Sequence, residues 1–129
     1  MENQNDPLLS LVTDDAAGLD RQKIANFLKE YISFDNETKE IVFTSKFENL
    51  KNNFHKIEVL LLASKVKFLL FNENEGFLQK DLIALEIMPE GSIKSALKRL
   101  SDDKKIKKNK EGRYYLPNYL VNNIINNIK

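Results

Sequence analysis

A mostly helical α+β fold is what this sequence predicts, and three observations predict it. Apolar residues recur at three-and-four spacing in four stretches, around residues 20–31, 56–71, 92–100 and 119–128. Between them lie short β-branched or aromatic runs that face each other across turn-forming residues, Ile32-Ser33-Phe34 with Ile41-Val42-Phe43, and residues 105–108 with 113–116. The composition, 42% hydrophobic and 30% charged over 129 residues, belongs to a globular chain that can bury a core.

Residues 1–18 mix Asp, Asn, Gly and scattered Leu without a period and are expected to be loosely held. Asp20 is placed to cap a helix whose Ile24, Phe27, Leu28 and Tyr31 share one face. The first hairpin turns at Asp35-Asn36-Glu37-Thr38. Ser45 and Glu48 then have capping-box spacing ahead of a short helix that directs Phe47, Leu50 and Phe54 inward, and Asn52-Asn53 interrupts it. Residues 56–71 form the longest apolar helix. Its Ile57, Leu60, Leu61, Ser64 and Phe68 take one face and Val59, Leu62, Val66 and Leu69 take others, so it needs neighbours on more than one side. Residues 72–76, ending in Gly76, stop it.

A short helix over residues 79–85 points Leu82 and Leu85 inward. Residues 87–91 read as a turn, because Pro89 biases Met88 away from helical geometry and Gly91 permits a bend. Ser92 is the expected cap of the next helix, in which Ile93, Ala96, Leu97 and Leu100 oppose Lys94, Ser95, Lys98 and Arg99. The second hairpin places Ile106 between Lys105 and Lys107, turns at residues 109–112 and returns from Arg113 to Leu116 before Pro117. Alternation sends Tyr114 and Leu116 toward the core and Tyr115 outward, either to stack on a base or to brace the hairpin. Leu120, Val121, Ile124, Ile125 and Ile128 stripe the last helix, a pattern that suits closing one core and a two-fold contact between copies equally.

A formal net charge of +1 conceals a strong asymmetry. Residues 94–113 hold nine basic and three acidic side chains, whereas residues 1–55 hold six and ten and residues 56–93 four and six. Such local concentration is the footprint of a phosphate-binding surface, and it equally suits an edge hairpin guarded by lysines.

The absence of cysteine excludes disulfides, thiol nucleophiles and zinc fingers together. His55 is the single histidine, which suggests neither a His-based metal site nor a catalytic triad. Asp14-Asp15 and the Glu73/Glu75 pair fall in loop-like stretches where solvated carboxylates are the rule, and glycines at 18, 76, 91 and 112 build no phosphate-cradling loop. A non-enzymatic chain without metal or cofactor is therefore expected. No apolar run approaches the roughly 18 residues that span a bilayer, and the polar, acidic start from Met1 to Asp6 is unlike a secretion signal, so no membrane partner and a cytoplasmic location are expected.

The order helix, helix, turn, helix, hairpin over residues 56–117 resembles the winged-helix (winged helix-turn-helix) DNA-binding domain. The residues that carry the resemblance are the long helix of residues 56–71, the short helix of residues 79–85, the entry Pro89-Glu90-Gly91-Ser92-Ile93-Lys94 and the hairpin of residues 105–116. The whole chain is also similar to small archaeal winged-helix proteins in which a helical and hairpin segment precedes such a domain. That likeness divides it into residues 1–18, a helical and hairpin extension over 19–55, the winged helix over 56–117 and a terminal helix over 118–129.

The resemblance implies that Ser92, Lys94, Ser95, Lys98 and Arg99 face a major groove and that Lys105, Lys107, Lys108, Lys110 and Arg113 form the wing. It implies double-stranded DNA as the partner, a homodimer and a role in transcription regulation. Arg99 suits a guanine edge, and lysines at a flexible tip suit phosphates. Asp102 and Asp103 count against simple docking, since they oppose the helix dipole and repel phosphate, as does Glu90 near the helix entrance. Winged helices also dock proteins, so a protein-interaction module in a larger nucleic-acid or regulatory complex is the alternative.

Overall fold

A computed structural model describes residues 7–11 and 19–128. The expectation for residues 1–18 lies outside the described residues except at Pro7–Leu11, a short 3-10 turn. The rest is mostly helical, with two antiparallel hairpins.

Helix α1 (Arg21–Leu28) starts where Asp20 accepts the Lys23 N–H at 3.0 Å, and it buries Ile24, Phe27 and Leu28. Strands β1 (Ile32–Phe34) and β2 (Ile41–Phe43) pair Ile32 with Phe43 and Phe34 with Ile41. In their turn the Asp35 carboxylate accepts backbone N–H groups of Thr38 at 2.9 Å and Glu37 at 2.8 Å. These bonds, Thr38's foremost, hold its pKa below the usual carboxylate range.

Helix α2 (Ser45–Glu48) is capped by Thr44, one residue ahead of the capping box expected at Ser45. Thr44 Oγ1 accepts the Phe47 N–H at 3.3 Å while donating to the Glu30 carbonyl at 2.7 Å, and its own N–H reaches the Tyr31 carbonyl at 2.9 Å. The hairpin therefore hands the chain directly into the helix, and Ser45 becomes its first residue. Phe47 is buried and stacks on Phe43 at 4.5 Å, but Phe54 is exposed, against expectation, because it falls in the first turn of the next helix.

That helix, α3 (Asn53–Phe71), begins three residues before the expected start, where Asn52 accepts the Phe54 and His55 N–H groups at 2.8 and 3.3 Å. All nine residues from Ile57 to Lys65 are buried, so α3 is the shaft around which both halves assemble. Two of the nine are charged. Lys65, 3% exposed, pairs with Glu75 and bonds the Asn118 amide oxygen, tying the shaft to the loop after it and to the start of the terminal segment. Among the described residues Glu58 has no such partner.

Helix α4 (Gln79–Ala84) buries Leu82. Leu85 lies past its end and is 36% exposed rather than inward, because Glu86 swings the chain through a left-handed φ of 56°. The bend expected at Gly91 is therefore made earlier. Helix α5 (Glu90–Asp102) starts directly after Pro89, whose carbonyl accepts the Ser92 and Ile93 N–H groups at 3.0 and 3.1 Å, so Ser92 sits inside the first turn and is not the cap. Ile93, Ala96, Leu97 and Leu100 are buried as expected. Its end is a Schellman turn: Lys105 N–H reaches the Leu100 carbonyl at 2.9 Å, Lys104 N–H reaches the Ser101 carbonyl at 3.0 Å, and Lys104 takes the left-handed position at φ 60°.

Strands β3 (Lys107–Lys108) and β4 (Tyr114–Tyr115) pair Lys107 with Tyr115 and Lys108 with Tyr114. Asn109 organises the turn, its side chain accepting the Glu111 and Arg113 N–H groups at 3.0 and 2.9 Å. On the other side of β4, Phe77 and Tyr114 exchange backbone bonds of 2.9 and 2.8 Å. This seat depends on Gly76, at φ 92°, whose N–H donates to the buried Ser64 hydroxyl at 2.7 Å; a Cβ there would collide with the Tyr114 carbonyl.

Helix α6 (Val121–Ile128) lays Val121, Ile124 and Ile125 into the core. Of the stripe, Val121, Ile124 and Ile125 are buried within the single chain, while Leu120 and Ile128 are half-buried at its edge.

Candidate nucleic-acid interface

The buried stripe of α5 fixes which side chains it presents. Lys94, Ser95, Lys98 and Arg99 are exposed, and Ser92 is half-buried. Each of the three cations has an acidic neighbour one helical turn away: Lys94 with Glu90 at 2.8 Å, Lys98 with Asp102 at 3.4 Å and Arg99 with Asp103 at 3.1 Å. Residues 90–103 thus hold three cations and three anions, a neutral sum. The acids foreseen as repulsive to phosphate are also direct partners of the basic face, a pairing the four-residue spacing already encoded.

The excess of positive charge lies beyond the helix, since residues 104–113 hold six cations against Glu111. Among the described residues Lys104, Lys105, Lys107, Lys108 and Lys110 form no ion pair. They do not share one face. Strand alternation sends the Lys107 ammonium over the Tyr119 ring at 5.4 Å and the Lys108 ammonium over Tyr114 at 5.2 Å, on opposite sides of the hairpin. Arg113 is half-buried and donates to the Gly76 carbonyl at 3.2 Å, so its guanidinium helps seat the hairpin. Lys105 is turned toward the start of α3 and the last helix, where it borders a cavity with Glu58.

Sequence reading overlooked a second wall. An open groove of about 970 Å³ runs between α5 and the start of α3, with Ser92, Ser95 and Arg99 on one side and Lys51, Asn52, Asn53 and Phe54 on the other. Ser92, Ser95 and Arg99 are brought together there, while the lysines of the hairpin stand apart. The signal for that wall was a pair of asparagines, the cap Asn52 and Asn53, ahead of Phe54.

Two groups near Lys105 have displaced acidities. Burial, with Lys105 nearby, makes His55 less basic than usual. Glu58 is pushed up to about 7 by burial, with Lys105 acting in the opposite direction. Among the described residues no three His, Cys, Asp or Glu side chains are arranged to hold a metal ion, and no helix is long and apolar enough to cross a membrane. No protein-family model matches this chain, and no curated protein or solved structure is significantly similar to it.

Proposed function

We propose that this chain is a winged-helix protein that binds double-stranded DNA without catalysis, as a transcription regulator, and that the hairpin of β3 and β4 is its wing. The observation that carries the reading is the Phe77–Tyr114 bridge. It adds a third, one-residue strand, between α3 and α4 in the chain, to the lysine-rich β3–β4 hairpin, the strand arrangement a wing requires. In this reading α5 enters the major groove with Ser95 and Arg99 nearest the bases. Lys107, Lys108 and Lys110 follow phosphates, and Lys51 and Asn53 extend the contact along the second wall.

The three pairs on α5 do not prevent this. Each is exposed, and surface pairs of this kind contribute only about 0.3–0.5 kcal/mol, less than a phosphate contact returns. They do shift the balance of binding toward the wing and away from base reading, so affinity exceeds sequence discrimination. A homodimer fits the reading only through a surface other than the buried stripe of α6.

Gel-shift titrations of duplex fragments at graded salt test the proposal. A protomer making about three to five phosphate contacts gives a log-affinity slope of roughly −3 to −5 against log salt. Binding that ignores salt, or no binding at low salt, overturns it. The neutrality of α5 favours a second reading, a module that docks a protein in a larger nucleic-acid or regulatory complex. Replacing Lys94, Lys98 and Arg99 together separates the two: loss of duplex binding with an intact fold supports DNA, and loss of a protein partner alone supports docking.

A further inference from the structure

Glu58 is 6% exposed on the shaft helix and, among the described residues, has neither a hydrogen bond nor an ion pair. A buried carboxyl without a partner is costly in any protein interior, so it calls for an explanation. No fully enclosed side-chain polar atom of the described residues lacks a partner, so the Glu58 oxygens are not sealed off, and Glu58 lines a cavity. That cavity holds about 300 Å³, the low end of the roughly 300–1,000 Å³ typical of small-molecule sites.

Its walls are chemically specific. Lys105 lines it together with Glu58, near enough to bear on its ionisation but not paired with it. Asn123, Asn126 and Asn127, spaced three and four apart on one face of α6, add amides that donate and accept. Leu120 supplies an apolar patch. A simple cation would meet the Lys105 ammonium and a simple anion would meet the Glu58 carboxylate. A molecule carrying both charges a few bonds apart satisfies both groups at once, and the amides take the hydrogen bonds that remain.

We infer that this cavity is a binding site for a small zwitterion of the α-amino-acid class, with its ammonium on Glu58 and its carboxylate on Lys105. Bound there, the ligand returns to Glu58 the partner that the folded chain withholds, and it lies against the root of the hairpin, two residues before β3. The site stands independently of the DNA reading, because its test measures the ligand alone.

The experiment titrates the full chain with each standard amino acid, following the side-chain amide resonances of Asn123, Asn126 and Asn127 by NMR. Ethylamine and acetate serve as controls that carry one charge each. At least one amino acid is expected to shift these resonances saturably with a Kd on the order of 1 mM or tighter, and neither control does so. Glu58→Gln and Lys105→Gln are each expected to weaken binding about tenfold or more with an unchanged circular dichroism spectrum. Should Glu58→Gln fail to fold, Asn127→Ala on the exposed side of α6 replaces it, with weaker binding expected. Failure of every amino acid to saturate, equal binding of ethylamine or acetate, or unchanged affinity in the variants would overturn the inference.

Discussion

Helix α5 and the β3–β4 hairpin both carry cations, yet they present them in opposite ways. On the helix Lys94, Lys98 and Arg99 are each tied to an acid one turn away, on side chains that remain largely exposed. On the hairpin Lys107, Lys108 and Lys110 have no acidic partner among the described residues, and two of them rest over tyrosine rings. The difference teaches that charge counted along a sequence is not the charge a partner meets. A helix places residues four apart side by side and lets opposite signs cancel, whereas a strand sends successive side chains to opposite faces and leaves like signs unpaired.

The hairpin is seated by the Phe77–Tyr114 bridge and by Gly76, and that seat is where the comparison is tested most severely. Gly76→Ala places a Cβ against the Tyr114 carbonyl at a residue with φ 92°, a conformation that non-glycine residues avoid. The expected loss is about 2–4 kcal/mol of stability in urea denaturation. Ser64→Ala, which removes the acceptor of the Gly76 N–H, is expected to lose less, about 1–2 kcal/mol. Equal stability of wild type and Gly76→Ala would show that the Phe77 bridge contributes little to the fold.

Neutralising each region in turn sharpens the contrast. Replacing Lys107, Lys108 and Lys110 with glutamine is expected to reduce duplex affinity about a hundredfold near physiological salt and to flatten the salt slope by about 2.7. The matching triple on α5, Lys94, Lys98 and Arg99, is expected to flatten it less, because cations already paired with acids neutralise fewer phosphates and so release fewer counterions from the duplex. Equal slopes in the two variants would show that the ion pairs on α5 open fully on binding and that the two regions do not differ in solution.

The sequence showed most of the architecture but only part of this contrast. Asp20 as a cap, the three-residue strands and the stripe Ile93, Ala96, Leu97 and Leu100 were legible because local rules of capping and periodicity decide them. The cap at Thr44 was not, since the choice between adjacent hydroxyls is made by Tyr31 and Glu30, which lie distant in sequence. A one-residue strand at Phe77 has no period to read. Lys65 and Glu58 were invisible as buried charges because lysine and glutamate are normally read as surface residues. Glu58 nonetheless stood alone between Ile57 and Val59 in an otherwise apolar run, a signal that was present. Among the expected site residues, Arg113 joined the wing's seat rather than its surface, because Gly76 offers it a carbonyl.

Glu58, on the shaft helix, makes stability depend on pH. Its carboxyl sits at about 7 when folded against 4.5 for the free side chain, so the folded state holds the proton more tightly. Stability is therefore greatest below the free value, falls as pH rises through the interval between the two, and levels off above about 7. Glu58→Gln removes that slope, and in mildly alkaline buffer the variant is expected to be about 1–3 kcal/mol more stable than the wild type, as measured by urea denaturation across the pH range. Parallel pH profiles for the two proteins would show that the carboxyl is solvated when folded.

The smallest effect concerns the acids at the end of α5. Asp102 and Asp103 lie beside the carboxyl end of the helix, where the dipole opposes negative charge. They also follow their partners Lys98 and Arg99 in sequence, the weaker of the two orientations for a pair spaced by four. Losing both pairs therefore removes less than about 1 kcal/mol, and relief of the dipole returns a similar amount, so Asp102→Asn with Asp103→Asn should change stability by less than about 0.5 kcal/mol. Duplex affinity should respond differently, because the substitutions leave Lys98 and Arg99 uncompensated and remove two charges that repel phosphate. A rise of about threefold to tenfold with a steeper salt slope is expected in the gel-shift series. A fall in affinity would mean that the aspartates orient Arg99 toward its target rather than restrain it, and α5 would then contribute geometry where the wing contributes charge.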